Sequence, residues 1–162
     1  GYKTMIEIEI TPEMVDKARI KAEELGTIRN SITKGKGNLV GFLGEAVANC
    51  ALGGEWVNTY DYDLVLKDGT KVDVKSKTVT SVPRGHYDCS VAALNTKQKC
   101  DAYAFVRIKK DLSAGWYLGI LEKDAYLEQS VYLHAGDVDP SNNFQVRSNC
   151  YNLKINQLKD TL

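Results

Sequence analysis

Asp68-Gly69 stands between two short alternating runs and limits what residues 60–77 (YDYDLVLKDGTKVDVKSK) can become. Asp-Gly is a strong hairpin turn signal. Leu64 and Leu66 before it, and Val72 and Val74 after it, alternate with polar residues at the period of a half-buried strand. Loop length then decides the register. A two-residue loop, Asp68-Gly69, sets Leu64 against Asp73 and places a carboxylate among the leucines. A three-residue loop, Lys67-Asp68-Gly69 with Gly69 left-handed in a bulge, pairs Leu64 with Val72 and Asp63 with Asp73. A slip of one residue turns every side chain to the other face, so only the longer loop keeps one face apolar. That register gathers Asp61, Asp63, Asp73 and Lys75 on the opposite face.

Like charges facing each other across a sheet cost roughly 0.2–1 kcal/mol per exposed pair. Lys75 alone supplies one compensating charge. Two readings stand. The face is a solvated, charged edge hairpin that resists aggregation, or it holds a divalent cation between its carboxylates. Hard cations such as Mg²⁺ favour a few carboxylate oxygens plus waters.

The chain of 162 residues, 43% hydrophobic with nine tyrosines, is expected to form a single folded domain over residues 1–162 with a sizeable core. No apolar run is long enough to span a membrane and no signal-peptide pattern opens the sequence, so no membrane partner is expected. Cys50, Cys89, Cys100 and Cys150 contain no CxxC pair, and with only His86 and His134 beside them a zinc site is not expected. They read as reduced, mostly buried thiols of a cytoplasmic protein. Gly35-Lys36-Gly37 falls short of a phosphate-binding GxxxxGK[ST] loop, so no nucleotide cofactor is expected.

Net charge is zero, but its distribution is uneven. Residues 26–40 hold Arg29, Lys34 and Lys36 with no acid. Residues 71–110 hold nine basic residues against Asp73, Asp88 and Asp101, and residues 41–70 hold five acids against Lys67. An acidic knot flanked by basic segments is what a metal-dependent phosphodiester site needs, ordinary charge scatter being the plainer account.

Along the chain, TMIEIEI (residues 4–10) reads as a strand. Thr11-Pro12-Glu13 starts a helix, with Met14, Ala18, Ala22 and Leu25 as its apolar stripe and Gly26 as its stop. Residues 26–37 read as a basic, glycine-bearing loop. A second helix follows over 38–52, with Leu39, Phe42, Leu43, Ala46 and Cys50 toward the core. After the hairpin, strands are expected over 87–94, 102–108 and 116–121, a short helix over 122–128, and one or two strands in 144–158. No internal repeat or linker divides the chain. The order is mixed α and β with antiparallel pairs, an α+β or mixed α/β fold.

The second helix contains Gly41-Phe42-Leu43-Gly44-Glu45, with Glu45 off the centre of the apolar stripe. Interior helix glycines cost roughly 1 kcal/mol each relative to alanine. Two of them beside an acid point to close approach of a backbone or ligand.

A Gly-Glu helix followed by a hairpin reading Asp, then Asp-Val-Lys, resembles the PD-(D/E)XK (restriction-endonuclease-like) nuclease superfamily. The matching residues are Glu45, Asp63 and Asp73-Val74-Lys75, within residues 38–77. Tyr62 stands in place of the nominal proline, and the second acid is aspartate. The small size is similar to that of phage and bacterial nucleases of this kind, which would act in the cytoplasm, the host's if phage-encoded. The resemblance implies a central mixed sheet flanked by helices and a metal-dependent deoxyribonuclease, an endonuclease by expectation. It implies Mg²⁺ or Mn²⁺ held by Glu45, Asp63, Asp73 and the Val74 carbonyl. Lys75 would orient water and offset phosphate charge; a lysine near two acids keeps its proton, which favours that role over general base. Asp61 is open as the true ligand or as a residue behind it. Gln98 is a candidate accessory residue, and Arg29, Lys34, Lys36, Lys77 and Arg84 are candidate DNA contacts. A homodimer suits many such enzymes. The alternative is a catalytically inactive member of the fold that binds nucleic acid or protein.

Overall fold

A computed structural model describes residues 5–29, 36–140 and 142–162, with the backbone alone for 25–29 and 36–38. Strand β1 (Ile6–Glu9) leads into α1 (Pro12–Arg29). Thr11 caps that helix, its Oγ1 accepting the Met14 N–H at 3.3 Å, with Pro12 in the first helical position. Gly26 does not end it. A glycine keeps its N–H and costs only about 1 kcal/mol, so the helix ladder continues through it to Arg29. Helix α2 (Lys36–Leu52) buries Phe42, Leu43, Ala46, Val47 and Ala48. Cys50, expected on the core side, is exposed in its last turn, beyond the buried stripe.

The hairpin region supplies β2 (Glu55–Trp56), β3 (Leu64–Val65) and β4 (Lys71–Val79). Then come β5 (Asp88–Ala92), a 3-10 turn (Ala93–Lys97), β6 (Ala102–Lys109), β7 (Ala114–Glu122) and α3 (Lys123–Gln129). Strands β8 (Val131–Leu133) and β9 (Cys150–Lys154) and a final 3-10 turn (Ile155–Gln157) close the chain. The architecture is mixed α and β, as the sequence pattern implies. A six-stranded sheet runs in the order β1-β7-β6-β4-β3-β2, and a three-stranded sheet in the order β5-β9-β8. Strands β4 and β6 lie parallel; their neighbours in the large sheet pair antiparallel.

The parallel pair explains why β6 is apolar on both faces. On one face Ala102, Ala104, Val106 and Ile108 join Val72, Leu43, Phe42 and Val47 in a core shared with α1 and α2. On the other, Tyr103 and Phe105 meet Tyr126 of α3 and Cys89, Val91, Leu153 and Ile155 of the small sheet's region. Strands of a parallel pair covered on both sides read as near-continuous apolar runs. The crossover between β4 and β6 carries β5 rather than a helix, and β5 feeds the layer over this second face. Strand β4 is therefore interior to the sheet, with Asp73 buried, Lys75 partly covered and Lys71 and Lys77 exposed toward its two ends. Among the described residues, no helix is long and apolar enough to cross a membrane.

Candidate metal centre

The three-residue turn forms as its chemistry requires. Leu64 pairs with Val72 and Val65 with Lys71, while Leu66 N–H donates to the Thr70 carbonyl at 2.9 Å. Gly69 takes φ +89, the left-handed conformation that a side chain resists, and its N–H closes the turn onto the Leu66 carbonyl. Strand β3 then stops after two residues. At the next rung, where Tyr62 would face Val74, the Asp63 carboxylate takes over. Its Oδ2 accepts the Val74 N–H at 2.8 Å. Backbone groups alternate sides along a strand, so the Val74 carbonyl points into the same opening between β3 and β4.

Three acids meet at this opening. Glu45 is 7% exposed, Asp63 8% and Asp73 5%, which excludes the solvated edge hairpin. They arrive from three elements: α2, the residue before β3, and β4. Gly44 explains how the helix reaches the strand. A Cβ at Gly44 would lie 1.7 Å from the Ser76 Oγ and 2.7 Å from its Cβ, so only glycine lets α2 rest against β4 there. Gly41 has open space around it and serves no such approach. Trp56 of β2 fixes the glutamate, its Nε1–H donating to Glu45 Oε1 at 2.7 Å. Lys21 of α1 lies over the Trp56 ring, 4.6 Å from its centroid.

Burial and mutual repulsion govern these carboxyls. Burial pushes Asp63 up to about 9, helped by the charges of Glu45 and Asp73, although the Val74 N–H works the other way. Burial also raises Glu45 to about 7, against the Trp56 hydrogen bond and with the Asp73 charge. Without a cation, such a group holds on to protons.

Lys75 provides the local positive charge. Its ammonium lies 2.7 Å from Asp73 Oδ2 and 3.4 Å from Gln98 Oε1, and it is one-fifth exposed. Gln98, just after the 3-10 turn, also donates from Nε2 to the Tyr60 carbonyl at 2.8 Å. It links the lysine to the loop before β3. Asp61 is not in the acid cluster. Its Oδ1 accepts the Lys99 N–H at 3.1 Å, anchoring the same loop from the other side.

The basic candidates spread more widely. Lys77 continues the Lys75 face toward the end of β4, paired in register with Arg107 of β6. Burial and then the Arg107 charge lower its pKa. Beyond it a recess of about 410 Å³ is lined by apolar residues such as Leu133 and Phe144 together with Asn142, Arg147 and Asn152. Arg84 is exposed on the loop after β4. Arg29 ends α1 and Lys36 begins α2, both with only their backbones described, and Lys34 lies outside the described residues.

The structure thus brings together Glu45, Asp63, Asp73, Lys75, Gln98 and the Val74 backbone. Sequence reasoning missed Trp56 and Asn58. The Asn58 side-chain amide lies 3.2 Å from Glu45 Oε1 and 3.3 Å from Asp63 Oδ1. Among the described residues no three His, Cys, Asp or Glu side chains form a ready cage for a metal ion. Mg²⁺ needs no such cage, because it keeps several waters and takes one or two carboxylates. Three buried carboxylates form an oxygen donor set suited to a hard cation.

The fold and site define a class: a mixed α+β protein with a buried cluster of three carboxylates and one lysine beside a short hairpin. No family model matches the chain, and no curated protein matches its sequence.

Proposed function

We propose that this protein is a metal-dependent nuclease that hydrolyses phosphodiester bonds of DNA, in the manner of the PD-(D/E)XK enzymes its sequence resembles. One observation carries the reading. Glu45, Asp63 and Asp73 are buried around one opening, with the Lys75 ammonium against Asp73 and the Lys21 charge acting on Glu45. Burying uncompensated carboxylates is costly, and a fold that concentrates them gains from a cation.

Glu45, Asp73, the Oδ1 of Asp63 and the Val74 carbonyl would hold Mg²⁺ or Mn²⁺. Such an ion polarises a phosphate oxygen and lowers the pKa of bound water. Lys75, held by Asp73 and Gln98, would orient the attacking water and offset charge building on the phosphate. Lys77 extends the positive face along β4 for the neighbouring phosphate.

The test is cleavage of supercoiled plasmid and short branched DNA by wild type, Asp73→Ala and Lys75→Ala, each with Mg²⁺, Mn²⁺ or chelator. The reading expects cleavage that needs metal and falls by about 10²-fold or more in both folded variants. Metal-independent cleavage, or full activity in Asp73→Ala, contradicts it. Metal binding without cleavage of any DNA favours the catalytically inactive alternative.

A further inference from the structure

Asn58 sits in the loop between β2 and β3 with φ +51, in the left-handed region. Asparagine tolerates that conformation better than other side-chain-bearing residues. The backbone there is tied down. The Val57 and Asn58 N–H groups both donate to the Asp63 carbonyl, at 2.9 and 3.0 Å. Thr59 and Tyr62 close the rest of the loop through their own hydrogen bonds. The backbone therefore aims the Asn58 amide, and it aims it between Glu45 Oε1 and Asp63 Oδ1, at 3.2 and 3.3 Å.

An amide can present either end. With the NH₂ inward it donates to both carboxylates, but at distances long for charge-assisted bonds, which run near 2.7–2.9 Å. Glu45 Oε1 already has a stronger donor in Trp56 at 2.7 Å. The Asn58 amide is thus held by two long bonds, one of them to an oxygen that already has a shorter donor. With its oxygen inward, Asn58 sets an amide oxygen 3.2 Å from Glu45 Oε1 and 3.3 Å from Asp63 Oδ1. Amide oxygens are ordinary ligands of hard cations.

We propose that Asn58 is an additional oxygen ligand of the cation, its amide turning from donor to ligand when the ion enters. This rests on the cation site proposed above. Terminal amide torsions are broad and two-fold, so the turn moves no backbone.

The experiment is calorimetric titration of Mn²⁺ into wild type, Asn58→Leu and Asn58→Asp, with thermal melts of each metal-free protein. A ligand role predicts that Asn58→Leu binds Mn²⁺ at least about tenfold more weakly. It also predicts that Asn58→Asp, which keeps an oxygen, binds within about threefold of wild type or tighter. The same Asn58→Asp protein should melt lower than wild type without metal and recover with it. If Asn58 only braces the two acids by donating, Asn58→Asp will bind more weakly than Asn58→Leu, because a carboxylate cannot donate to carboxylates. That result overturns the inference, as does a Mn²⁺ affinity in Asn58→Leu within about twofold of wild type. A wild type that takes up no Mn²⁺ overturns the proposed site itself, and this inference with it.

Discussion

Asp63 has two tasks on one side chain. Oδ2 replaces a missing backbone rung by accepting the Val74 N–H, and Oδ1 faces Glu45 and Asn58. Its pKa consequence has a definite sign. Folding raises Asp63 from 3.8 to about 9 and Glu45 from 4.5 to about 7, burial being the main cause in each. A group with a raised folded pKa contributes stability that is full below its unfolded pKa and lost as pH climbs toward the folded one. The metal-free protein should therefore lose stability steadily between about pH 4 and 9, as thermal melts across that range will register. Asp63→Asn, which keeps an acceptor for Val74, should flatten the decline, and saturating Mg²⁺ should oppose it. A metal-free protein more stable at pH 8 than at pH 5 would contradict this. Asp63, Asp73 and Lys75 were legible in the sequence because strand alternation fixed their face. Trp56 and Asn58 were not. Trp56 sits in the two-residue strand β2, and Asn58 reaches the acids from a loop whose path depends on hydrogen bonds to Asp63, Tyr62 and Gln98; no period encodes either.

Elements follow the sequence where a local rule is strong. Asp68-Gly69 and the alternation around it set the β3–β4 register. The Thr11 cap and Pro12 set the start of α1. Gly26 is a weaker signal, since a glycine ends a helix only if the chain turns left-handed there, and tertiary context chose otherwise. Strands β2 and β8, of two and three residues, carry too little pattern to announce themselves. Gly44 shows why a helix glycine must be weighed by its contacts. Alanine there would ordinarily add about 1 kcal/mol of helix stability. Against β4 its Cβ would strike Ser76 at 1.7 Å, and rotating the hydroxyl away still leaves the Ser76 Cβ at 2.7 Å. Gly44→Ala should therefore destabilise by about 1–3 kcal/mol in denaturant titration. It should also weaken Mn²⁺ binding by displacing Glu45. Adding Ser76→Gly should restore most of both. A Gly44→Ala protein as stable as wild type would mean that α2 does not rest on β4 as described.

For the whole molecule, charge placement sets the expected behaviour toward DNA. The chain is neutral overall, yet β4 passes from the acid cluster at Asp73 through Lys75 to Lys77, with Arg84 on the loop beyond. Binding through these side chains should be salt-sensitive and indifferent to base sequence. In fluorescence titrations with Ca²⁺ in place of Mg²⁺, Lys77→Ala and Arg84→Ala should each lower the slope of log affinity against log salt by about 0.7–0.9. An unchanged slope in both would remove this face as the DNA path. The buried acids are the centre from which the rest follows. Without a cation, ionising the buried carboxylates costs stability. The most direct test is therefore the Mn²⁺ isotherm of wild type against Asp73→Ala, both shown folded by circular dichroism. The account predicts saturable binding to wild type that Asp73→Ala loses. Equal binding by the two proteins, or none by wild type, would contradict it.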